Sequence, residues 1–123
     1  MAGKEFTPAV CGASDFRRLL RDIEDRYSGA FDGLGPRALQ DFKHMIDCVD
    51  VFLDLLADPR TDFRVKLMCY GELRMDVFEF RRYYARWLGS PLMERLKHEV
   101  YELLEEAVSW WERQEVFDAI EGW

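Results

Sequence analysis

The sequence predicts an all-α domain, a compact bundle of four to five helices. Three observations carry that prediction. Apolar residues fill 49% of the 123 positions and recur mostly at three- and four-residue spacing. Eight Gly and four Pro fall mostly between those stripes, where a chain must turn. Acids and bases occupy the positions between apolar residues, the pattern of helices with one wet side. The length suits one domain, with residues 1–13 as a weakly structured leader and 14–123 as a single helical domain.

In the first helix, Ser14 is a good N-cap, and Phe16, Leu19, Leu20, Ile23 and Tyr27 form one stripe. Residues 28–35 contain three Gly and read as a loop pinned by Phe31 and Leu34. Pro36 suits the first turn of a second helix. There Leu39, Phe42, Ile46, Val49, Leu53 and Leu56 face inward, and Asp58-Pro59 ends it.

Segment 62–88 admits two readings. Phe63, Leu67, Tyr70, Leu73, Val77, Phe80, Tyr84 and Trp87 are spaced 4,3,3,4,3,4,3, which predicts a helix. The alternative is an α+β fold with a hairpin at about 63–80, turning at Gly71-Glu72. With 16 apolar residues in 27, this segment is expected to be the central, most buried element, with Gly71 as a point of kinking or splitting.

Gly89-Ser90-Pro91 stops that helix and starts the next, with Ser90 as N-cap and Pro91 at the first helical position. The following stripe is Leu92, Leu96, Val100, Leu103, Leu104, Ala107 and Trp111. Beyond Arg113 the pattern fails: Gln114 and Asp118 would land on the dry stripe and Val116 and Ile120 on the wet arc. A break near residues 112–115 is therefore predicted, followed by a short last helix faced by Val116, Phe117 and Ile120.

The net charge of −7 is segregated. Residues 1–98 hold 16 acids and 16 bases, whereas residues 99–123 hold eight acids and only Arg113. Such asymmetry marks a surface for a basic partner. Acidity as a whole argues against a nucleic-acid ligand. No apolar run is long enough for a membrane span, and no signal-peptide core opens the chain. Cys11, Cys48 and Cys69 form no CxxC pair, so reduced thiols and a cytoplasmic setting are expected.

Catalytic and metal signals are sparse. His44 and Cys48, four apart on one helix, could pair as base and nucleophile, but no orienting acid or oxyanion hole accompanies them. Asp41-x-x-His44 is half of a di-iron pattern whose second half fails, since Arg95 stands three before His98. Glu94, His98 and Glu102 could hold only a surface ion. No GxGxxG, P-loop, GxSxG or HExxH is present, and no cofactor is expected.

These readings point to a non-enzymatic protein-binding module, an inhibitor or adaptor. Its surface would be the acidic fourth helix (Glu99, Glu102, Glu105, Glu106 and Glu112) with Phe117 and Trp123 as C-terminal anchors. The Glu arc could imitate a phosphate backbone and fill a partner's basic groove. A homodimer burying an apolar terminal face is a second option. The alternative ligand is a nucleic acid or phosphate at Arg81, Arg82 and Arg86, where bases interleave with aromatics. The simplest fate for those arginines is internal pairing with the Glu-rich fourth helix.

Overall fold

The computed structural model describes residues 13–121, with side chains described for 15–115. Four helices account for nearly all of it: α1 (Ala13–Asp32), α2 (Pro36–Ala57), α3 (Phe63–Leu88) and α4 (Ser90–Glu121). Each runs antiparallel to its neighbours, as the cross-helix pairs Phe16–Trp110, Arg26–Glu99, Phe52–Tyr70, Asp41–Tyr84, Lys66–Glu115 and Arg81–Glu94 require. Helices α2 and α4 meet across the diagonal of the bundle, and α1 and α3 flank that pair on opposite sides. No strand occurs among the described residues, so the hairpin at 63–80 is excluded and α3 passes through Gly71 unbroken. A Cβ at Gly71 would meet nothing, so this glycine weakens the helix only by its entropy.

The core joins Phe16, Leu20, Ile23 and Phe31 of α1 to eight buried residues of α2 and a stripe of α4 from Met93 to Val108. At one end Phe31 stacks on Phe42 with ring centroids 4.6 Å apart and meets Tyr84 edge-on at 5.4 Å. That aromatic cluster corrects the predicted loop at 28–35. Phe31 is fully buried only if the helix continues, and Ser28 Oγ donates back to the Glu24 carbonyl at 2.6 Å. The connection therefore shrinks to residues 33–35, with Gly35 at φ 120. Leu34, expected to pin it, is exposed.

The predicted central role of α3 is overturned. Its buried residues are Leu73, Val77, Tyr84 and Lys66, while Val65, Leu67, Met68, Met75, Tyr83 and Trp87 lie exposed. Apolar residues on every side of a helix bury only those facing its neighbours, and α3 has neighbours on one side. Lys66 is buried because its Nζ donates to the Leu56 carbonyl at 2.9 Å, capping the C-terminus of α2, with Glu115 of α4 at 3.8 Å.

The break predicted near 112–115 is also absent, since α4 is continuous to Glu121. At 1.5 Å per residue it is about 48 Å long against about 39 Å for α3. Phe16 near the start of α1 faces Trp110, so α4 runs past α1 from about residue 113, while α3, whose Lys66 sits beside Glu115, still flanks it to about residue 118. On the side that overhangs α1, α4 escapes the packing that would have forced a redirection. Gly89 alone separates α3 from α4: its N–H donates to the Ala85 carbonyl and its own carbonyl accepts the Met93 N–H. Ser90, expected as the N-cap, is thus already inside α4. The predicted leader falls almost wholly outside the described residues.

Candidate functional site

The acidic arc of α4 does not form one surface. Three to four residues per turn sends Glu99, Glu102 and Glu106 towards α1 and Glu105 and Glu112 towards α3. The first set lines a concavity. Between α1 and α4 lies an open groove of about 730 Å³. Ile23 and Leu103, both buried, form its floor together with Leu19, which remains 37% exposed. Its rim carries Asp22 and Asp25 from α1 and Glu102 and Glu106 from α4.

The two bases in this groove are already engaged. Arg26 binds Glu99 through both guanidinium arms, at 3.0 and 2.5 Å, and Tyr27 donates its hydroxyl to the same carboxylate at 2.6 Å. The Arg26 hydrogen bonds hold the Glu99 carboxyl below the ordinary glutamate range, against the opposing pull of burial, and Tyr27 adds to them. Arg18 turns back to Asp15 at 2.8 Å. Glu102 reaches His98 at 3.2 Å, whereas Asp22, Asp25 and Glu106 have no ion pair among the described residues. The groove thus combines an apolar floor with a mostly acidic rim, on which Asp22, Asp25 and Glu106 form no ion pair among the described residues. Glu99, predicted as a contact residue, instead ties α1 to α4 at one end.

Glu105 and Glu112 are exposed on the other flank of α4, away from this groove. The side chains of Phe117 and Trp123 lie outside the described residues. Sequence reasoning missed Leu19, Asp22 and Asp25. It assigned Leu19 to the dry stripe, and the acids became legible as a site only once α1 was seen beside α4.

The arginines of α3 disperse. Arg81 pairs with Glu94 of α4 at 2.7 Å and its guanidinium covers the Phe78 ring at 4.7 Å. Internal pairing therefore accounts for Arg81. Arg82 is exposed, with Glu79 at 3.9 Å on the same helix, and Arg86 lies over the Tyr83 and Trp87 rings at 5.2 and 5.3 Å. A second patch, missed in sequence, runs along the α3/α4 seam. There Arg74 covers the Tyr101 ring at 4.5 Å and Lys97 the Phe78 ring at 5.9 Å.

His44 and Cys48 do come together, with Nε2 and Sγ 3.7 Å apart. Burial, then the charges of Asp76 and Asp47, push the Cys48 thiol up, away from the thiolate that a nucleophile uses. Cys48 and Cys69 share a smaller groove of about 240 Å³ between α2 and α3. Asp41, half of the di-iron pattern, accepts the Tyr84 hydroxyl at 2.5 Å. Among the described residues no three His, Cys, Asp or Glu side chains are arranged to hold a metal ion, and no helix is long and apolar enough to cross a membrane.

Comparison with protein-family models, with curated proteins and with solved structures found no match.

Proposed function

We propose that the protein is a non-enzymatic interaction module that receives a basic protein partner in the groove between α1 and α4. The observation that carries this reading is the rim itself: Asp22, Asp25, Glu102 and Glu106 surround the exposed Leu19. Charge of one sign around an apolar floor draws an oppositely charged partner and fixes its register, while the floor supplies the desolvated contact. A module of this kind acts as an inhibitor or adaptor, because occupying a basic surface competes with whatever else that surface binds.

Reversing Glu102 and Glu106 to Lys tests the reading. Both side chains are exposed, so the helical circular dichroism and melting curve are expected to stay close to wild type. Proteins captured from native extract by the wild-type chain are expected to be lost from the double variant. Unchanged capture would remove the groove from consideration.

A second reading keeps the alternative ligand. Arg82 and Arg86, beside the half-exposed rings of Tyr83 and Trp87, have the ingredients of a phosphate-and-base contact. Gel shift of a single-stranded oligonucleotide at low salt tests it, and absence of any shift there would end it.

A further inference from the structure

The groove between α1 and α4 selects the form of its occupant by what it lacks. Its lining side chains carry five carboxylates against the two guanidiniums of Arg18 and Arg26. Those guanidiniums are the only donors among the lining side chains, and they already bind Asp15 and Glu99. The rest of the lining is aliphatic: Leu19, Ile23 and Leu103. Both walls are helices, whose backbone N–H groups are used within α1 and α4. A segment lying here therefore finds acceptors on both sides and almost no donors. An extended chain points its carbonyls sideways, where each would face a carboxylate or an aliphatic wall. A buried carbonyl left without a donor costs about as much as a lost hydrogen bond. A helix pairs its own carbonyls and turns only side chains outward.

We infer that the occupant is a basic amphipathic helix of another protein, laid along α1 and α4 as a third helix. The inference rests on the groove being the binding face, and it names the form and charge of the partner. Charge complementarity places the partner's bases. Asp22 and Asp25 stand on the α1 wall and Glu102 and Glu106 on the α4 wall, each pair about one turn apart. A helix with Lys or Arg on both flanks of one apolar stripe sets cations opposite each pair, their long stems lying over the rim. Length sets the stripe. The groove extends about 12 Å from Arg18 to Arg26 along α1, about two helical turns, and so takes two apolar side chains one turn apart. Leu19, 37% exposed, is the contact that those side chains bury.

Two synthetic peptides of about 14 residues test this, each short enough to be largely unfolded alone. Both hold equal numbers of Leu and Lys. One places Leu at three- and four-residue spacing, and the other alternates Leu with Lys. Titrated into the full chain, the helix-patterned peptide should bind and gain helical circular dichroism beyond the sum of the parts. The alternating peptide should bind about tenfold more weakly or worse. Glu102→Lys/Glu106→Lys and Leu19→Gln should each weaken the helix-patterned peptide by about tenfold, with melting curves showing that both variants are folded. Glu105→Lys/Glu112→Lys makes the same charge change on the other flank of α4 and should leave binding near wild type. Equal binding of the two peptides, or binding without added helix, overturns the inference. So does a helix-patterned peptide that binds the groove variants as it binds wild type, or that loses as much affinity for Glu105→Lys/Glu112→Lys. Absence of any binding by that peptide also overturns it and leaves the groove to the extract experiment, so the two can fail separately.

Discussion

Helices α2 and α3 are built from nearly the same proportion of apolar residues, 13 of 22 against 16 of 26, and are used differently. Helix α2 buries eight of its residues, and its exposed large apolar side chain is Val51. Helix α3 buries three apolar residues and exposes six large ones. The difference is one of phase. In α2 the apolar positions collect on one stripe, which α1, α3 and α4 cover. In α3 they are spread round the whole helix, and the bundle covers only the side that faces it. Apolar content therefore measures how much contact a helix can make, and its periodicity measures with how many neighbours.

The contrast can be broken or sharpened by substitution. The largest effect is expected at Phe42 of α2, fully buried and stacked on Phe31. Replacing it with Ala should cost about 3–5 kcal/mol in urea unfolding, and a loss below about 1 kcal/mol would mean that α2 is not the packed side of the comparison.

Next comes Tyr84, the point where α3 does reach the core. Its hydroxyl donates to Asp41 at 2.5 Å, and burial, reinforced by that hydrogen bond, pushes the phenol from its ordinary 10.0 up to about 12. Tyr84→Phe should cost about 1.5–3 kcal/mol near neutral pH. A phenol that holds its proton more tightly folded than unfolded stabilises the native state fully below pH 10 and loses that contribution as pH climbs towards about 12. The gap between wild type and variant should therefore close over that interval; a gap that is constant to pH 12 would refute the assignment.

A smaller change of opposite sign is expected on the outward side of α3. Gly71→Ala introduces a methyl into open space and reduces the freedom of the unfolded chain, so stability should rise by about 0.5–1 kcal/mol. A decrease would show that α3 bends there. The smallest effect belongs to Met75→Ala, expected to stay within about 0.5 kcal/mol of wild type.

Much of the fold was legible in sequence because strong periodicity and stop signals coincide. Pro36, Asp58-Pro59 and Gly89 ended or began helices at or within one residue of where they stand, and the stripe from Leu96 to Ala107 is buried as spaced. The errors arose where local pattern competes with tertiary packing. Residues 28–32 carry a glycine and a serine, yet the burial of Phe31 among Phe42, Phe80 and Tyr84 keeps them helical. The register failure beyond Arg113 suggested a break, yet α4 runs on as one helix past the start of α1, which leaves one side of it without a stripe to match. The site was half legible. Charge counting found Glu102 and Glu106, but Asp22, Asp25 and Leu19 become part of the same surface only through the antiparallel pairing of α1 with α4, which no residue in either helix announces alone.

The connection between α3 and α4 consists of Gly89, held at φ 91. Joining two long helices through one residue makes their first contact nearly free of loop-closure entropy. This hairpin and the one that joins α1 to α2 through residues 33–35 are thus the local units from which the bundle assembles. Lengthening the connection should slow refolding more than it speeds unfolding. Until the two hairpins dock and bring α1 against α4, the α1 acids and the α4 acids belong to no common surface. The groove is in that sense the last thing the chain makes.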